Sequence, residues 1–410
     1  MSSLSMSRPR TPRRISRLGT ETAFAVSGDA AAWAAQGHRV YPFHLGDMNI
    51  RTPLNIIRSA YSAMIDGRTF YTPAGGVPQL REALAESLSA ERGVDYHAAN
   101  VSVQPGGKPC IGKFLMAVME IGDGVLYPNP GYPIYESQVD FLGGRGQPYT
   151  YTLDEGRFRI DRDSVQRAVD DTTRVLIVNA QHNPTGADAS REELEWLADL
   201  ARDRDLWVLS DDPYIDIRYA GSSRSIVEFD GMAERTVIGY TFSKKYAMTG
   251  WRLGAAVGPE PVVDIITKIN TNDESCTNQF VQLAGVEALQ GDQSGSEHIV
   301  NTLQGRRDRI VDLLNGIDGV TVPDSDATFY LFPDVTDVYR RLGYRVGSDE
   351  DTQAFRITTM HETGVSFCAR THFGRSLPGE ERVYVRFAYS GIDEKDAEAG
   401  LTALKHYWEQ

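Results

Sequence analysis

Short apolar runs alternate with helical patterns between about residue 95 and residue 260, and this alternation restricts the fold more than any other feature of the chain. Between two of the runs, Ser190 and Glu193 form a capping-box pattern ahead of an apolar helical stripe. The alternation predicts an α/β domain with a mostly parallel sheet sandwiched by helices. Open sheets of this kind bind ligands at the carboxyl ends of their strands. The predicted strands are 101–103, 125–127, 175–178, 206–209, 237–238 and 253–257.

The chain of 410 residues is too long for one simple core, so two domains are expected. A largely helical stretch from 279 to 314 leads out of the sheet region, and two more strand patterns follow at 327–332 and 383–388. These later strands, with helices between and after them, predict a smaller α+β domain. The expected boundaries are 47–304 for the large domain, and 18–46 with 305–410 for the small domain.

The first 17 residues have a different composition from the rest, since they contain five arginines and no acidic residue. Charge of one sign, with Ser and Pro and few apolar residues, predicts a disordered arm over residues 1–17. Organellar transit peptides also start with Arg-rich, Ser-rich segments that lack acids, but no amphipathic stripe is evident here. A loose tail is therefore the favoured interpretation.

Composition excludes several classes of partner. The formal net charge of -14 disfavours nucleic acid, because a phosphate backbone attracts basic surfaces. No run of eighteen apolar residues occurs, so no membrane span is expected. Cys110, Cys276 and Cys368 are odd in number and far apart, without metal-type spacing, so we expect no metal site. Such cysteine usage is typical of the reducing cytoplasm.

The run from Thr241 to Arg252 contains the most informative side chains. Thr241, Ser243 and Arg252 suit a phosphate, and Lys244 suits a carbonyl group. A lysine attacks carbonyls only when its amine is partly deprotonated, which burial and nearby cations favour. Lys245 is the adjacent candidate for the lysine that attacks a carbonyl group. From these residues alone, an ordinary basic surface turn remains the alternative to a ligand site.

Polar residues follow several other predicted strands. Asp211 ends one strand, with Tyr214 three residues later, and Asn183 follows the preceding strand in an Asn-Pro-Thr-Gly turn. Gly107 and Lys108 precede a helical pattern, so their backbone amides can approach an anion at the helix start. By themselves these residues also fit helix caps and turns.

Arg386 lies in the apolar strand pattern at 383–388, where a charge needs a partner. The arginine fork binds a carboxylate with two parallel hydrogen bonds, so Arg386 is a candidate for holding an amino acid's α-carboxylate. A structural ion pair is the alternative.

Seven separated motifs, in family order over roughly residues 18 to 405, make the chain resemble the class I/II aminotransferases. These are fold type I enzymes that use pyridoxal 5′-phosphate, and the resemblance implies an aspartate aminotransferase-like fold. It implies that Lys244, rather than Lys245, forms the Schiff base with the cofactor. The phosphate is then held by Gly107, Lys108, Thr241, Ser243 and Arg252.

The resemblance also implies roles around the cofactor ring. Asp211 binds the pyridinium nitrogen, Asn183 and Tyr214 contact the phenolic oxygen, and Tyr132 stacks on the ring. Tyr71 is expected to reach the phosphate of a partner subunit, which makes a homodimer the expected assembly.

Three residues are expected to contact the substrate besides Asn183. Arg386 binds the α-carboxylate, and Gly46 places its backbone beside the substrate. In the bacterial aspartate aminotransferase branch, the lysine that matches Lys108 contacts the distal carboxylate of the substrate. The resemblance therefore implies a second role for Lys108. Both roles of Lys108 stay open at this stage.

The predicted function is transfer of an amino group from an L-amino acid to a 2-oxo acid by a ping-pong route, within amino-acid metabolism and biosynthesis. The first alternative is a lyase or cyclising enzyme of secondary metabolism that uses the same cofactor. A cofactor-sensing regulator is disfavoured, because the short arm cannot hold a winged helix. A nicotinamide dehydrogenase is disfavoured because no Gly-x-Gly-x-x-Gly follows a strand. The Asp-Asp-Pro-Tyr segment at 211–214 resembles the multisubstrate and α-aminoadipate branch, so the amino acid stays open.

Overall fold

The structure is a computed structural model that describes residues 11–19 and 22–410. The helices of these residues are α1 Ala23–Ala34, α2 Leu54–Ile65, α3 Pro78–Arg92, α4 Lys108–Val118, α5 Ile134–Leu142, α6 Arg162–Ala168, α7 Arg191–Asp203, α8 Glu260–Asn272, α9 Gln279–Gln290, α10 Ser294–Asn315, α11 Thr336–Arg341, α12 Asp349–Thr363 and α13 Glu394–Trp408. The strands are β1 Tyr41–Pro42, β2 Val101–Gln104, β3 Gly124–Pro128, β4 Arg145–Tyr149, β5 Tyr151–Asp154, β6 Arg157–Ile160, β7 Thr173–Val178, β8 Trp207–Asp211, β9 Thr236–Thr241, β10 Gly254–Val257, β11 Tyr330–Leu331, β12 Val365–Ser366, β13 Cys368–Ala369 and β14 Val385–Ala388.

The central sheet has seven strands in the order β2-β10-β9-β8-β7-β3-β4. Its strands are parallel except β10, which runs antiparallel to both β2 and β9. All six predicted strands lie in this sheet, which confirms the predicted fold class. The sequence pattern did not identify β4. Its residues include Gly146 and Pro148, which weaken a strand signal, and Pro148 is accommodated because β4 is an edge strand.

The parallel strands β7, β8 and β9 end at the same edge of the sheet, which brings together chain segments that are far apart in sequence. Helix α7 connects β7 with β8 and begins with the predicted capping box. There Glu193 N donates to Ser190 Oγ at 3.2 Å, and Ser190 N donates to Glu193 Oε2 at 2.8 Å. The capping box fixes where α7 begins, and the apolar stripe of α7 is buried against the sheet.

A second core lies in the C-terminal part of the chain. The three-stranded sheet β11-β14-β13 and helices α10, α12 and α13 pack around buried aromatic residues, including Phe355, Phe387 and Trp408. Strand β1 pairs in parallel with β12, so the early residues 41–42 join this part of the molecule. The C-terminal and N-terminal segments therefore share one core.

The first ten residues of the predicted disordered arm lie outside the described residues. In the described part of this segment, Arg13–Arg17 form a short 3-10 helix with no buried residues, and the disordered arm stays a prediction. The Arg14 guanidinium lies over the Phe141 ring of α5, 5.8 Å from its centre, which gives this segment a contact with the sheet region. Over the residues that the structure describes, no helix is long and apolar enough to cross a membrane. That same part of the chain has no cluster of three or more His, Cys, Asp or Glu that could hold a metal ion.

Candidate active site

A cavity of about 510 Å³ lies at the carboxyl edge of β7, β8 and β9, where it also meets α1, α4 and β14. Of the site residues predicted from the sequence, only Tyr71 is outside its lining. The side chain of Tyr71 is 87% exposed on the loop between α2 and α3. The predicted residues that line the cavity are Gly46, Gly107, Lys108, Tyr132, Asn183, Asp211, Tyr214, Thr241, Ser243, Lys244, Arg252 and Arg386.

Lys244 follows β9 and points into this cavity, whereas Lys245 does not. The Lys244 Nζ donates to the carbonyl oxygen of Gly46 at 2.8 Å. The Lys245 Nζ instead lies 3.0 Å from Asp216 Oδ1. Burial alone would lower the pKa of Lys245, but the Asp216 carboxylate outweighs it and the pKa is raised. Lys245 is therefore a charged ion-pair residue, and Lys244 is the lysine of this pair whose side chain lines the cavity.

One end of the cavity is lined by Thr241, Ser243, Gly107 and Arg252. Thr241 Oγ1 donates to Ser243 Oγ at 2.9 Å, and Gly107 is the N-cap of α4. A Cβ on Gly106 would fall 2.1 Å from Arg252 Nη2, and Gly106 has φ +100°. Only glycine fits at position 106 because the guanidinium lies against its backbone. Hydroxyls, a helix start and a guanidinium in one place form a donor set suited to a phosphate.

Asp211 is buried at the end of β8. Tyr135 Oη donates to Asp211 Oδ2 at 2.5 Å. Burial raises the pKa of Asp211 to about 7, while the Tyr135 hydrogen bond lowers it and Asp212 raises it. Such a carboxylate gains most from a ligand that brings a positive charge or an N–H donor. Asp212 does not line the cavity, since its oxygens accept hydrogen bonds from Ser210 and Ser225.

Asn179 joins the ends of β7 and β8. Its Nδ2 donates to the backbone oxygen of Asp211 at 2.6 Å, and its Oδ1 accepts from the Asn183 N–H at 2.9 Å. The side chain of Asn183 then accepts a hydrogen bond from Arg386 Nη1 through Oδ1, at 3.0 Å. Because this oxygen is used, the amide nitrogen of Asn183 is the group left to donate to a ligand.

Tyr214 and Tyr330 place two phenols beside each other, with their oxygens 2.8 Å apart. Burial raises the pKa of Tyr214 well above its usual value, so it carries its proton at neutral pH and can donate. A Cβ on Gly46 would come 2.2 Å from Tyr330 Oη, so position 46 requires glycine. Backbone and phenol can approach each other closely here only because Gly46 has no side chain.

Arg386 is 3% exposed and forms no ion pair with any acid of the described chain. Its Nη2 donates to the carbonyl oxygen of His44 at 2.6 Å, and its Nε is buried without a hydrogen-bond partner among the described residues. The structural ion pair that the sequence left open is therefore not found among the described residues. A buried guanidinium that faces a cavity in this way is suited to an anionic ligand.

Lys108 is exposed at the start of α4, on the side of the cavity that α1 covers. Its Nζ lies 5.7 Å from the centre of the Tyr132 ring and 5.8 Å from the centre of the Phe24 ring. Phe24 belongs to α1 and lines the cavity as well. The lysine therefore lies near aromatic side chains from α1 and from the loop before α5.

The sequence did not identify Phe24, Tyr135, Asn179 or Tyr330 as site residues. Tyr135 lies three residues after Tyr132 at the start of α5, so helical spacing from Tyr132 was a usable signal. Tyr330 lies in a strand pattern that was recognised, but which of its residues face the cavity depends on tertiary packing. Phe24 and Asn179 gave no local signal.

Comparison with known proteins identifies the family. The sequence profile of the family described as "Aminotransferase class I and II" matches residues 42–404. The chain belongs to the class I and II aminotransferases. An aspartate aminotransferase from Musicola paradisiaca is 33% identical over 383 residues, which are 93% of this chain and 92% of that protein. An aspartate/prephenate aminotransferase from Cereibacter sphaeroides is 32% identical over 389 residues, covering 94% and 95% of the two chains.

Solved structures of this family have the same fold. The aspartate aminotransferase from Rhizobium meliloti superposes with a TM-score of 0.87 at 28% identity, covering 98% of this chain and 99% of that chain. The Thermus thermophilus aspartate aminotransferase with maleate gives a TM-score of 0.86 at 28% identity, covering 97% and 99%. The chain is thus an aminotransferase that depends on pyridoxal phosphate and moves an amino group from an amino acid to a 2-oxo acid. Both relatives named above are aminotransferases, and nothing favours the lyase alternative.

The residues of the cavity fit this cofactor. The donor set around Arg252 matches a phosphate, and Gly106 allows the Arg252 guanidinium to lie against the backbone there. At the other end, Asp211 is a buried carboxylate without a basic partner among the described residues, which suits a protonated ring nitrogen.

Proposed function

We propose that this aminotransferase uses dicarboxylic substrates, an acidic L-amino acid and a dicarboxylic 2-oxo acid. The observation that carries the proposal is the charge of the cavity, whose described lining has four basic side chains and two acidic ones. Arg252 is assigned to the cofactor phosphate, Arg386 to the substrate α-carboxylate and Lys244 to the reaction. Lys108 is the remaining cation, and we assign it to the distal carboxylate. Relatives named for aspartate support this choice.

The bound cofactor supplies an electron sink for the electrons of the bond that breaks at the substrate Cα. Lys244 would hold the cofactor. Its Nζ would take the proton from the substrate Cα as general base and would then, as general acid, give that proton to the cofactor carbon that bears the amino group and not back to Cα. Arg386 and Asn183 fix the α-carboxylate, so the Cα–H bond is aimed at the Lys244 amine. A second oxo acid then passes through the same contacts in reverse.

Five side chains tune the cofactor ring in this proposal. Asp211 keeps the ring nitrogen protonated, and Tyr135 holds the carboxylate that does so. Tyr214 and the Asn183 amide nitrogen donate to the phenolic oxygen, which stabilises its ionised form. Tyr132 stacks on the ring and sets its tilt.

We propose a homodimer in which Tyr71 reaches the cofactor phosphate of the partner subunit. The support is an exposed apolar surface on α2 and the loop after it, which we call the α2 surface. Monomeric proteins rarely expose contiguous apolar surface of this kind. Its residues are Leu54, Ile57, Tyr61, Met64, Ile65, Phe70 and Tyr71.

We also propose that residues 47–304 form the large domain, and that residues 18–46 with 305–410 form the small one. The separate cores of the central sheet and of the β11-β14-β13 sheet support this division. The cytoplasm is the proposed location and amino-acid biosynthesis the proposed context. Three free cysteines support a reducing compartment.

Half-reactions measured without an acceptor test the substrate assignment. The purified enzyme is mixed with L-aspartate or with L-alanine, and conversion of the cofactor to its amine form is followed by absorbance. We expect Lys108→Gln to raise the KM for L-aspartate about tenfold, because one charge-assisted contact is lost. L-Alanine, which has no distal carboxylate, serves as the matched control and should change little. Equal losses with both donors would assign Lys108 to the phosphate instead.

A further inference from the structure

Arg386 is a buried cation whose charge is not neutralised by an acid of the described chain. Its hydrogen-bond acceptors among the described residues are the backbone oxygen of His44, the amide oxygen of Asn183 and, at 4.0 Å, the sulfur of Cys368, and none of them is a carboxylate. His44 itself stays uncharged, because burial and then Arg386 lower its pKa to about 4. Burial of an unpaired charge is costly, so another group must stabilise the guanidinium.

Two aromatic faces supply this stabilisation. The Arg386 Cζ lies 4.5 Å from the centre of the Tyr330 ring and 4.5 Å from the centre of the Phe373 ring. The π face of an aromatic ring is negative and attracts cations within about 6 Å, more strongly when both groups are removed from water. Tyr330 and Phe373 are each 2% exposed. We call these two residues the aromatic pair.

We propose that the aromatic pair are positioning residues, which stabilise the Arg386 cation in place of a carboxylate counter-ion. The inference rests on the proposed function, in which Arg386 binds the substrate α-carboxylate. A protein carboxylate at this place would compete with the substrate for the same N–H groups. An aromatic face stabilises the cation but occupies none of those groups, so they stay available to the substrate.

The backbone holds Phe373 in position independently of any ligand. Its N–H donates to the Arg370 oxygen at 3.0 Å, and its own oxygen accepts from the Gly131 N–H at 2.9 Å. The Phe373 ring does not line the cavity, so it acts only through Arg386. The Gly131 contact also ties it to the segment that carries Tyr132. Phe373 is thus the member of the pair that can be changed without altering the cavity wall.

Ring fluorination at position 373 tests the proposal in the holoenzyme. Phenylalanine analogues with one, two and three ring fluorines remove electron density from the ring face with little change of shape. We expect the KM for the amino donor to rise stepwise, to about tenfold for three fluorines, because Arg386 leaves its binding position more often. The kcat at saturation should stay within about twofold, since a bound carboxylate restores that position.

The same analogues at Phe332 are the matched control. Phe332 is 1% exposed, and its ring centre lies 6.4 Å from that of Phe373, but no cationic side chain of the described residues lies over it. Fluorination there should leave KM unchanged. The proposal would be overturned if the KM did not change with the number of fluorines at position 373. It would also be overturned if the KM rose equally with fluorination at position 332.

An Arg386→Leu background separates this proposal from the assignment of Arg386. If Arg386 binds the α-carboxylate, the leucine variant has a raised KM for amino acids, and the fluorine series at Phe373 becomes flat in it. An unchanged KM in the leucine variant would refute the assignment of Arg386 itself. A raised KM in that variant, together with a flat series on the wild-type background, would refute only the role of the aromatic pair.

Discussion

Replacing Tyr135 by phenylalanine isolates the contact that controls Asp211. The variant removes one hydroxyl and keeps the ring, which is buried between the helix and the sheet. The lost hydrogen bond is the 2.5 Å contact with Asp211 Oδ2. A hydrogen bond to a charged group contributes about 2 kcal/mol, so its loss raises the pKa of Asp211 by roughly one to two pH units.

The sign of the pH dependence follows from the raised pKa. In the cofactor-free protein the pKa of Asp211 is about 7, above its usual 3.8, because the carboxyl is buried. Between pH 3.8 and about pH 7, the folded protein therefore binds more protons at Asp211 than the unfolded chain does. The free energy of unfolding accordingly decreases as pH rises through this range. In Tyr135→Phe the pKa of Asp211 in the folded protein is higher, so the upper limit of this pH range rises by about one to two pH units. The variant's additional loss of stability should therefore grow above about pH 7 and level off near pH 9.

Urea unfolding of the cofactor-free enzyme between pH 6 and pH 9 measures this difference. Tyr149→Phe is the matched control, since Tyr149 is also buried and its hydroxyl donates to the Ile177 backbone oxygen at 3.1 Å. Its loss of stability should not depend on pH in this range. A pH-independent loss in Tyr135→Phe as well would refute the reasoning, because Tyr135 would then have no influence on the ionisation of Asp211.

Two further outcomes follow from the structure. Gly106→Ala should weaken cofactor binding at least tenfold, measured by titration of the cofactor-free enzyme, because its Cβ would meet Arg252 Nη2 at 2.1 Å. Gly37→Ala has a similar backbone strain at φ +92° but open space around it, and it should bind the cofactor normally. Ile65→Asp on the α2 surface should shift the enzyme to monomers in light scattering and reduce activity. Ile121→Asp, at an even more exposed position outside that surface, should do neither. A dimeric Ile65→Asp enzyme would contradict the proposed interface.

The sequence predicted the parts of the site that depend on local pattern. Lys244, Asp211 and Asn183 each follow an apolar strand, and parallel strands bring such positions to one edge of a sheet. The choice of Lys244 over Lys245 came from the family resemblance and stays a prediction. In the structure Lys244 lines the cavity, and Lys245 forms an ion pair with Asp216.

The contacts between these residues could not be predicted in the same way. The hydrogen bond from Tyr135 to Asp211 and the position of Phe373 under Arg386 depend on how separate elements pack. Strand β4 was missed for a different reason, since an edge strand tolerates proline and polar residues that obscure a strand pattern. Reactive residues at strand ends can thus be predicted from a single sequence. The residues that hold them in position are found only once the tertiary structure is known.

Reduction of the resting holoenzyme with borohydride tests the central claim most directly. Borohydride fixes the bond between the cofactor and its lysine, so the modified residue can be located by peptide mass spectrometry. We predict that the cofactor is found on Lys244, in stoichiometric amount, and that Lys244→Ala carries none. Attachment to Lys245, or recovery of an unmodified Lys244 peptide from active enzyme, would contradict the account.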